Sequence, residues 1–435
     1  MDIKSFLKGL IFKSKVIKNF FIYAFGAFLL KGISVIIAPI VMRILTPADY
    51  GLLSLVTNFI AIVFTCVGLG LRQLLSVEYF HCDTIGRKRL INDIIAIYCL
   101  CMVPAFLLLF GGRNIINKFI FVKQASNHII TFCLLVACLK FFSELFYQVL
   151  QYTGRALKLT VVQVFAALIL LSLNLYFLYF LNWGIFSIIA AQFASLLFVL
   201  VIAAFFYISD FYYAHLDISC SLSKSWWYVQ RGLPFVPRVL FAWVLAVGDR
   251  WVLAKYATLA DVGIYSVADM FGQLFQMVVI LPFSYAYIPY MMEKFAKHKG
   301  CFLSIKSIDK CNLRNMVLTM IALVIVVSLG LIVFRPLVYI VLPPRYHMAF
   351  SYIWSLLIGY IFLLGTYFAS IFLQFQKCIY FLIFALLVPA ICNIMLNLLL
   401  VPHFAIWGCV IATVISYILY FLITVLYNFY LKRVK

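Results

Sequence analysis

Apolar residues in this chain come in long runs, each of about 20 to 28 residues, separated by short polar stretches. A hydrocarbon core of about 30 Å is crossed by roughly 20 helical residues. Lipid-exposed backbone must also close its own hydrogen bonds, which leaves helix as the spanning form for such runs. The pattern predicts twelve spans at about 20–42, 51–77, 91–111, 128–151, 159–181, 184–209, 233–253, 262–290, 311–334, 349–373, 379–401 and 404–430. Phe6, Leu7, Leu10, Ile11 and Phe12 alternate with lysines, as in an amphipathic segment lying on anionic headgroups. The expected organisation is that segment at 1–19, a six-helix lobe at 20–209, a linker at 210–232, a second six-helix lobe at 233–430 and a tail at 431–435.

Two polar stretches between the runs carry the same phrase. R-I-L-T-P-A-D-Y-G-L-L-S-L-V at Arg43 to Val56 returns as K-Y-A-T-L-A-D-V-G-I-Y-S-V-A at Lys255 to Ala268. In one register Thr46 meets Thr258, Ala48 meets Ala260, Asp49 meets Asp261, Gly51 meets Gly263 and Ser54 meets Ser266. Trp183-Gly184 near the sixth span is echoed by Trp407-Gly408 near the twelfth. Internal repeats of this kind build many transporters. These two predict all-α halves in the same orientation, pseudo-symmetric about an axis along the membrane normal.

Composition agrees with the runs. Hydrophobic residues make up 67% of the chain and charged residues 11%, against roughly 25% charged in a soluble domain. The net charge of +21 would suggest nucleic acid in a soluble protein, but here its distribution reports topology. Lysine and arginine gather on the side of the termini, in the first eighteen residues, at Arg87-Lys88-Arg89, between Lys294 and Arg314 and in the tail. The positive-inside rule then places both termini in the cytoplasm. Twelve cysteines are scattered through apolar runs without a C-x-x-C pair, which reads as small hydrophobes rather than disulfides or metal ligands. The first run starts near Asn19, is longer than a signal-peptide core and lacks a small-x-small cleavage site, so no cleavable signal is expected.

Charges within spans are the candidates for chemistry, since each costs about 2.5–3.5 kcal/mol to insert and faces a wet cavity or a partner. Lys31 shares a helical face with Ala24, Ala27, Ser34 and Ala38, and Arg72 one with Asn58, Ala61, Thr65 and Gly68. Lys140 has Glu144 one turn on, a spacing that favours a self-neutralising pair, with Tyr147 and Gln151 continuing the face. Arg238 shares a face with Asp249, which is followed by Arg250 at the span's end, and Asp269 carries Gln273 and Gln276 one and two turns on. Lys31, Arg72, Lys140 and Arg238 around one cavity would suit a phosphate or carboxylate. Glu144, Asp249 and Asp269 are candidates for coupling to protons or sodium. Asn58, Thr65, Ser34 and Gln151 are candidates for polar lining, and tyrosines with Asn174, Gln163 and Gln192 for sugar contact. No P-loop, H-E-x-x-H or G-x-S-x-G occurs, so neither an enzyme nor a cofactor or metal is expected.

Several motifs resemble those of the Wzx-type polysaccharide flippases, the oligosaccharide-lipid branch of the MATE/MOP superfamily. They are P-I-V-M-R-I-L-T-P-A-D-Y-G-L at Pro39 to Leu52, L-P-F at Leu233, G-D-R at Gly248, D-V-G-I-Y-S at Asp261 and V-P-H-F-A-I-W-G at Val401. The resemblance implies two six-helix lobes in a V in a bacterial inner membrane. It implies an undecaprenyl-diphosphate-linked oligosaccharide (an O-antigen, capsule or exopolysaccharide unit) moved between leaflets. Membrane lipids, a polysaccharide polymerase and a chain-length regulator follow as partners, and nucleic acid does not. Two alternatives stay open: a drug or cation antiporter of the same fold, although span 1 offers Lys31 and no acid, and a membrane glycosyltransferase or polymerase, although every loop outside the cytoplasm is short.

Overall fold

A computed structural model describes residues 37–80, 82–122, 125–211, 222–298 and 302–434. Every regular element among them is helical. A stretch at 37–44 (α1) leads to α2 (Pro47–Val67), α3 (Leu71–Glu78), α4 (Thr84–Gly111), α5 (Arg113–Phe119), α6 (Asn127–Tyr152), α7 (Ala156–Tyr179) and α8 (Ile185–Phe211). The chain continues as α9 (Leu222–Gly232), α10 (Phe235–Val247), α11 (Asp249–Tyr256), α12 (Leu259–Phe275) and α13 (Leu281–Lys297). It ends with α14 (Phe302–Val333), α15 (Arg335–Val341), α16 (Phe350–Phe375), α17 (Ile379–Phe404) and α18 (Ile406–Val434).

Among the described residues ten helices are long and apolar enough to cross a membrane, or eleven if the bent helices before and after Gly248 count as one span. The expected first span lies mostly outside the described residues, as does the amphipathic segment before it. The order of one long helix, one short helix and three long helices in α4–α8 recurs in α14–α18, which is the duplication that the repeated phrases predict.

Three expected spans are interrupted, each for a local backbone reason that hydropathy does not register. The run 51–77 breaks between α2 and α3, where Leu69 and Gly70 have φ of +46° and +69°. Gly70 accepts that geometry because it lacks a Cβ, and a Cβ there would overlap the carbonyl of Gly232 at the end of α9. The run 233–253 bends by 47° between α10 and α11. The run 262–290 contains one π-helical turn, Gln276–Ile280, between α12 and α13.

The chain forms two compact units. Unit 1 takes residues up to Leu45 and Val56–Val236; unit 2 takes Thr46–Leu55 and Pro237–Lys435. In unit 1 the buried face of α3 (Leu71, Leu74 and Leu75) packs with Ile91, Ile94 and Tyr98 of α4 and with Phe141 and Leu145 of α6. Tyr98 stacks on Phe141 with centroids 3.6 Å apart and donates its hydroxyl proton to the Cys138 carbonyl.

In unit 2, α16 is the central helix. It has 83% of its apolar window buried within the protein against 6% for α14, whose apolar surface the described residues leave largely uncovered. The two repeated phrases are helix starts, and each is closed by a reciprocal cap. Asp49 N–H donates to Thr46 Oγ1 at 3.2 Å while Thr46 N–H donates to Asp49 Oδ2 at 3.1 Å. Thr258 and Asp261 repeat this at 3.1 and 3.0 Å. Such boxes satisfy helix N–H groups that lack intrahelical partners.

Candidate functional site

Most of the charged candidates fall into two separate clusters, one in each unit. In unit 1, α3 presents Arg72 and α6 presents Glu144 and Lys140. Arg72 Nη2 lies 3.0 Å from Glu144 Oε2, with 29% and 34% of the two side chains exposed. The Arg72 guanidinium sits 5.7 Å from the Phe64 ring centroid, and the Lys140 ammonium sits 5.5 Å from the same centroid. A half-exposed aromatic ring is thus shared by two cations. The cluster contains one more base than acid.

This geometry corrects one sequence expectation. Glu144 pairs with Arg72 on another helix rather than with Lys140 on its own, because the rotation of α6 against α3 brings Arg72 closer. Gln148 holds the backbone beneath it, with Nε2 donating to the Arg72 carbonyl at 3.0 Å and to the Tyr152 hydroxyl at 2.8 Å. Among the described residues, buried Arg72 Nε, Gln148 Oε1 and Asn58 Nδ2 have no hydrogen-bond partner. Thr65 donates back to the Ala61 carbonyl of its own helix, and Gln151 is exposed.

In unit 2 the polar cluster is closed. Asp249, Arg250 and Asp269 are each 2% exposed. Arg250 Nη2 contacts Asp269 Oδ2 at 2.5 Å, and Nη1 reaches Asp249 Oδ1 at 3.4 Å. Arg250 Nε donates to Ser266 Oγ at 3.3 Å and Nη1 to the Ala246 carbonyl. Asp269 also accepts from Gln273 at 2.8 Å and from the Tyr360 hydroxyl at 2.9 Å. Asp249 accepts from the Tyr265 hydroxyl and, at 3.1 Å, from Thr413. Buried charges survive only when paired and hydrogen-bonded, and this network meets that demand with one more acid than base.

Arg250 was expected at the end of its span beside Asp249. It does pair with Asp249, and it is also the buried centre of the network, which lies just past the bend at Gly248. The G-D-R motif was the only sequence signal for this, and nothing in it indicated Tyr265, Tyr360 or Thr413 as partners. Arg238, on α10 of unit 2, is exposed. Lys31 and Ser34 lie outside the described residues. The described cysteines are free thiols; Cys133 and Cys409 are buried, most others are half-buried and Cys66 is exposed.

The model of the family described as polysaccharide biosynthesis protein matches residues 16–295, more than half of the chain. No curated protein matches it. Among solved structures, an inward-facing multidrug-resistance MATE transporter of the MOP superfamily is 14% identical, with a TM-score of 0.71 over 94% of each chain. The lipid II flippase MurJ, in an inward closed conformation, is 12% identical, with a TM-score of 0.68 over 95% of this chain and 87% of its own. A MOP superfamily transporter from Pyrococcus furiosus is 14% identical, with a TM-score of 0.60 over 96% of each chain. This multi-pass membrane protein belongs to the polysaccharide biosynthesis protein family and has the MATE/MOP fold.

Proposed function

We propose that the protein flips an undecaprenyl-diphosphate-linked oligosaccharide from the cytoplasmic to the periplasmic leaflet of a bacterial inner membrane by alternating access. The observation that carries this reading is the half-exposed pair of cations, Arg72 and Lys140, around Phe64 with a single acid to offset them. A diphosphate accepts charge-assisted hydrogen bonds from such groups, while a polyprenyl tail can remain in lipid. Family membership and the likeness to a lipid II flippase support a lipid-linked substrate. Lys31 and Arg238 are further candidates for the diphosphate path, with both termini on the cytoplasmic side.

Of the three acids, Glu144 has the partly exposed side chain suited to exchange a proton or sodium ion. Asp249 and Asp269 are already held by Arg250 and by hydroxyl donors. On this reading the oligosaccharide passes on to a polysaccharide polymerase and its chain-length regulator. A drug or cation antiporter is the second reading, favoured by the likeness to a MATE transporter. It would require an accessible anionic site, whereas the accessible cluster of unit 1 is cationic.

Complementation of a strain lacking its O-antigen flippase, supplied with this protein's own polysaccharide genes, tests the proposal. Wild type is expected to restore surface polysaccharide, and Arg72→Ala or Lys140→Ala to abolish it with membrane insertion intact. Normal polysaccharide in both variants would remove the cationic site from the mechanism.

A further inference from the structure

Gln273 stands near the middle of the 26-residue apolar span Leu259–Ser284, and it is exposed. Gln276, three residues on, is partly exposed and opens the π-helical turn. Residues three apart on a helix are surface neighbours, so the two amides form one polar patch. A carboxamide set against hydrocarbon loses its hydrogen bonds without compensation, so polar groups at such depth face water inside the membrane. The π-turn points the same way. Pro282 follows it at the start of α13 and has no N–H to donate, which leaves the turn one backbone donor short where hydrocarbon offers none.

Gln273 is held in one orientation. Its Nε2 donates to Asp269 Oδ2 at 2.8 Å. A carboxylate only accepts, so the amide nitrogen faces Asp269 and the carbonyl oxygen Oε1 is turned away from it. Asp269 is itself 2% exposed and is anchored by Arg250 and by the Tyr360 hydroxyl at 2.9 Å. The Tyr360 ring lies so close to Gly272 that a Cβ there would overlap it, which fixes the rotation of α12 at the residue next to Gln273. An exposed polar group with a buried, charged support is built as a recognition residue is built, with its own conformation set by the shell behind it.

The patch is neutral and offers both donors and acceptors. A cation takes about six or more oxygen ligands, more than two glutamine carbonyls supply. An anion is repelled by the network beneath, which holds one more acid than base. A sugar hydroxyl both donates and accepts, and two adjacent amides satisfy neighbouring hydroxyls of one ring. We propose that Gln273 and Gln276 form a glycan subsite of unit 2, binding hydroxyls of an uncharged sugar of the transported oligosaccharide, with the Gln273 carbonyl oriented by Asp269. This inference rests on the flippase reading and adds residues that recognise the sugar to the cations assigned to the diphosphate.

The test uses full-length protein in detergent, offered the lipid-linked oligosaccharide extracted from its own host and bare undecaprenyl diphosphate, with retention of each read by native mass spectrometry. Wild type is expected to retain the glycosylated lipid about tenfold better, the effect of one or two hydrogen bonds. Gln273→Ala is expected to lose that preference while keeping bare undecaprenyl diphosphate, whereas Arg72→Ala loses both. Gln276→Ala, whose side chain takes no part in the buried network, is expected to weaken the preference too, and it carries the test if Gln273→Ala fails to fold. Equal retention of the two lipids by wild type would overturn the subsite, as would an unchanged preference in the glutamine variants. Wild type that retained neither lipid would overturn the flippase reading, and the subsite with it.

Discussion

Ser266 donates its hydroxyl proton to Ser54 Oγ at 2.9 Å across 212 residues of sequence. The two serines are equivalent positions of the repeated phrase, so the repeat meets itself. Arg250 Nε donates to the same Ser266 oxygen, which connects the meeting point to the buried charges. One turn before each serine, Gly51 and Gly263 let the helices touch. A Cβ on Gly51 would overlap the Leu259 carbonyl, and a Cβ on Gly263 the Pro47 carbonyl, the matching residue of the other copy.

Backbone carbonyls cannot rotate aside as a side chain can, so Gly263→Ala is expected to destabilise by about 1–3 kcal/mol, the usual cost of overpacking. Gly330→Ala on α14 is the control, since its Cβ meets open space. It should be neutral or stabilising by up to about 1 kcal/mol from helix propensity alone. Thermal unfolding midpoints of the two purified variants check this, and equal midpoints would refute the close crossing.

The buried network makes a second prediction. Arg250→Ala leaves Asp249 and Asp269 buried without their shared cation, a loss of about 3–5 kcal/mol. Asp269→Asn should cost less, since Tyr360 and Gln273 can still hydrogen-bond the amide. The double variant should lose less than the sum, because the residues share one network. A double-mutant cycle on thermal unfolding measures this, and strict additivity would contradict the geometry.

The cluster in unit 1 behaves differently because it is partly exposed. Arg72→Ala should change stability by no more than about 1 kcal/mol, the ordinary range for a solvated pair, yet abolish polysaccharide export. Glu144→Gln keeps both cations and should spare substrate binding while weakening any coupling to a proton gradient. Export measured with and without an uncoupler separates the two effects.

Glu293 and Lys297, one turn apart at the end of α13, form an exposed ion pair with Nζ to Oε1 at 2.7 Å. The hydrogen bond and charge of Lys297 lower the Glu293 carboxyl below its ordinary value, and Glu293 raises Lys297 in turn. The Glu293 contribution is present above the ordinary glutamate value of about 4.3 and is lost as pH falls through its lower folded value. The Lys297 contribution is present below its ordinary value and is lost at strongly alkaline pH. Carboxyl titration by NMR should show Glu293 returning to the ordinary range in Lys297→Ala and at high salt.

Much of the fold was legible because its causes are local. Apolar run length placed α6, α7, α8, α16, α17 and α18 to within a few residues of their observed ends, whereas α4 and α14 begin at Thr84 and Phe302, well before the expected 91 and 311, because their first turns are polar. The breaks at Leu69-Gly70 and Gly248 passed unnoticed because hydropathy averages over the two or three residues that stop or bend a helix. The short α5 and α15 were missed for the same reason.

The repeat itself was also legible, since Thr46 with Asp49 and Thr258 with Asp261 spell a helix cap within four residues of sequence. That these two caps open helices which touch through Gly51 and Gly263 is a tertiary fact. So is the choice of partners among charges. Sequence spacing offered Lys140 to Glu144, and the structure gave Glu144 to Arg72; sequence left Arg250 at the end of its span beside Asp249, and the structure added Asp269 as its second partner. Pairing across helices depends on how each helix is rotated about its own axis. That rotation is fixed by the packing of whole faces, such as Leu71, Leu74 and Leu75 against α4 and α6, and not by the few polar residues whose chemistry it decides.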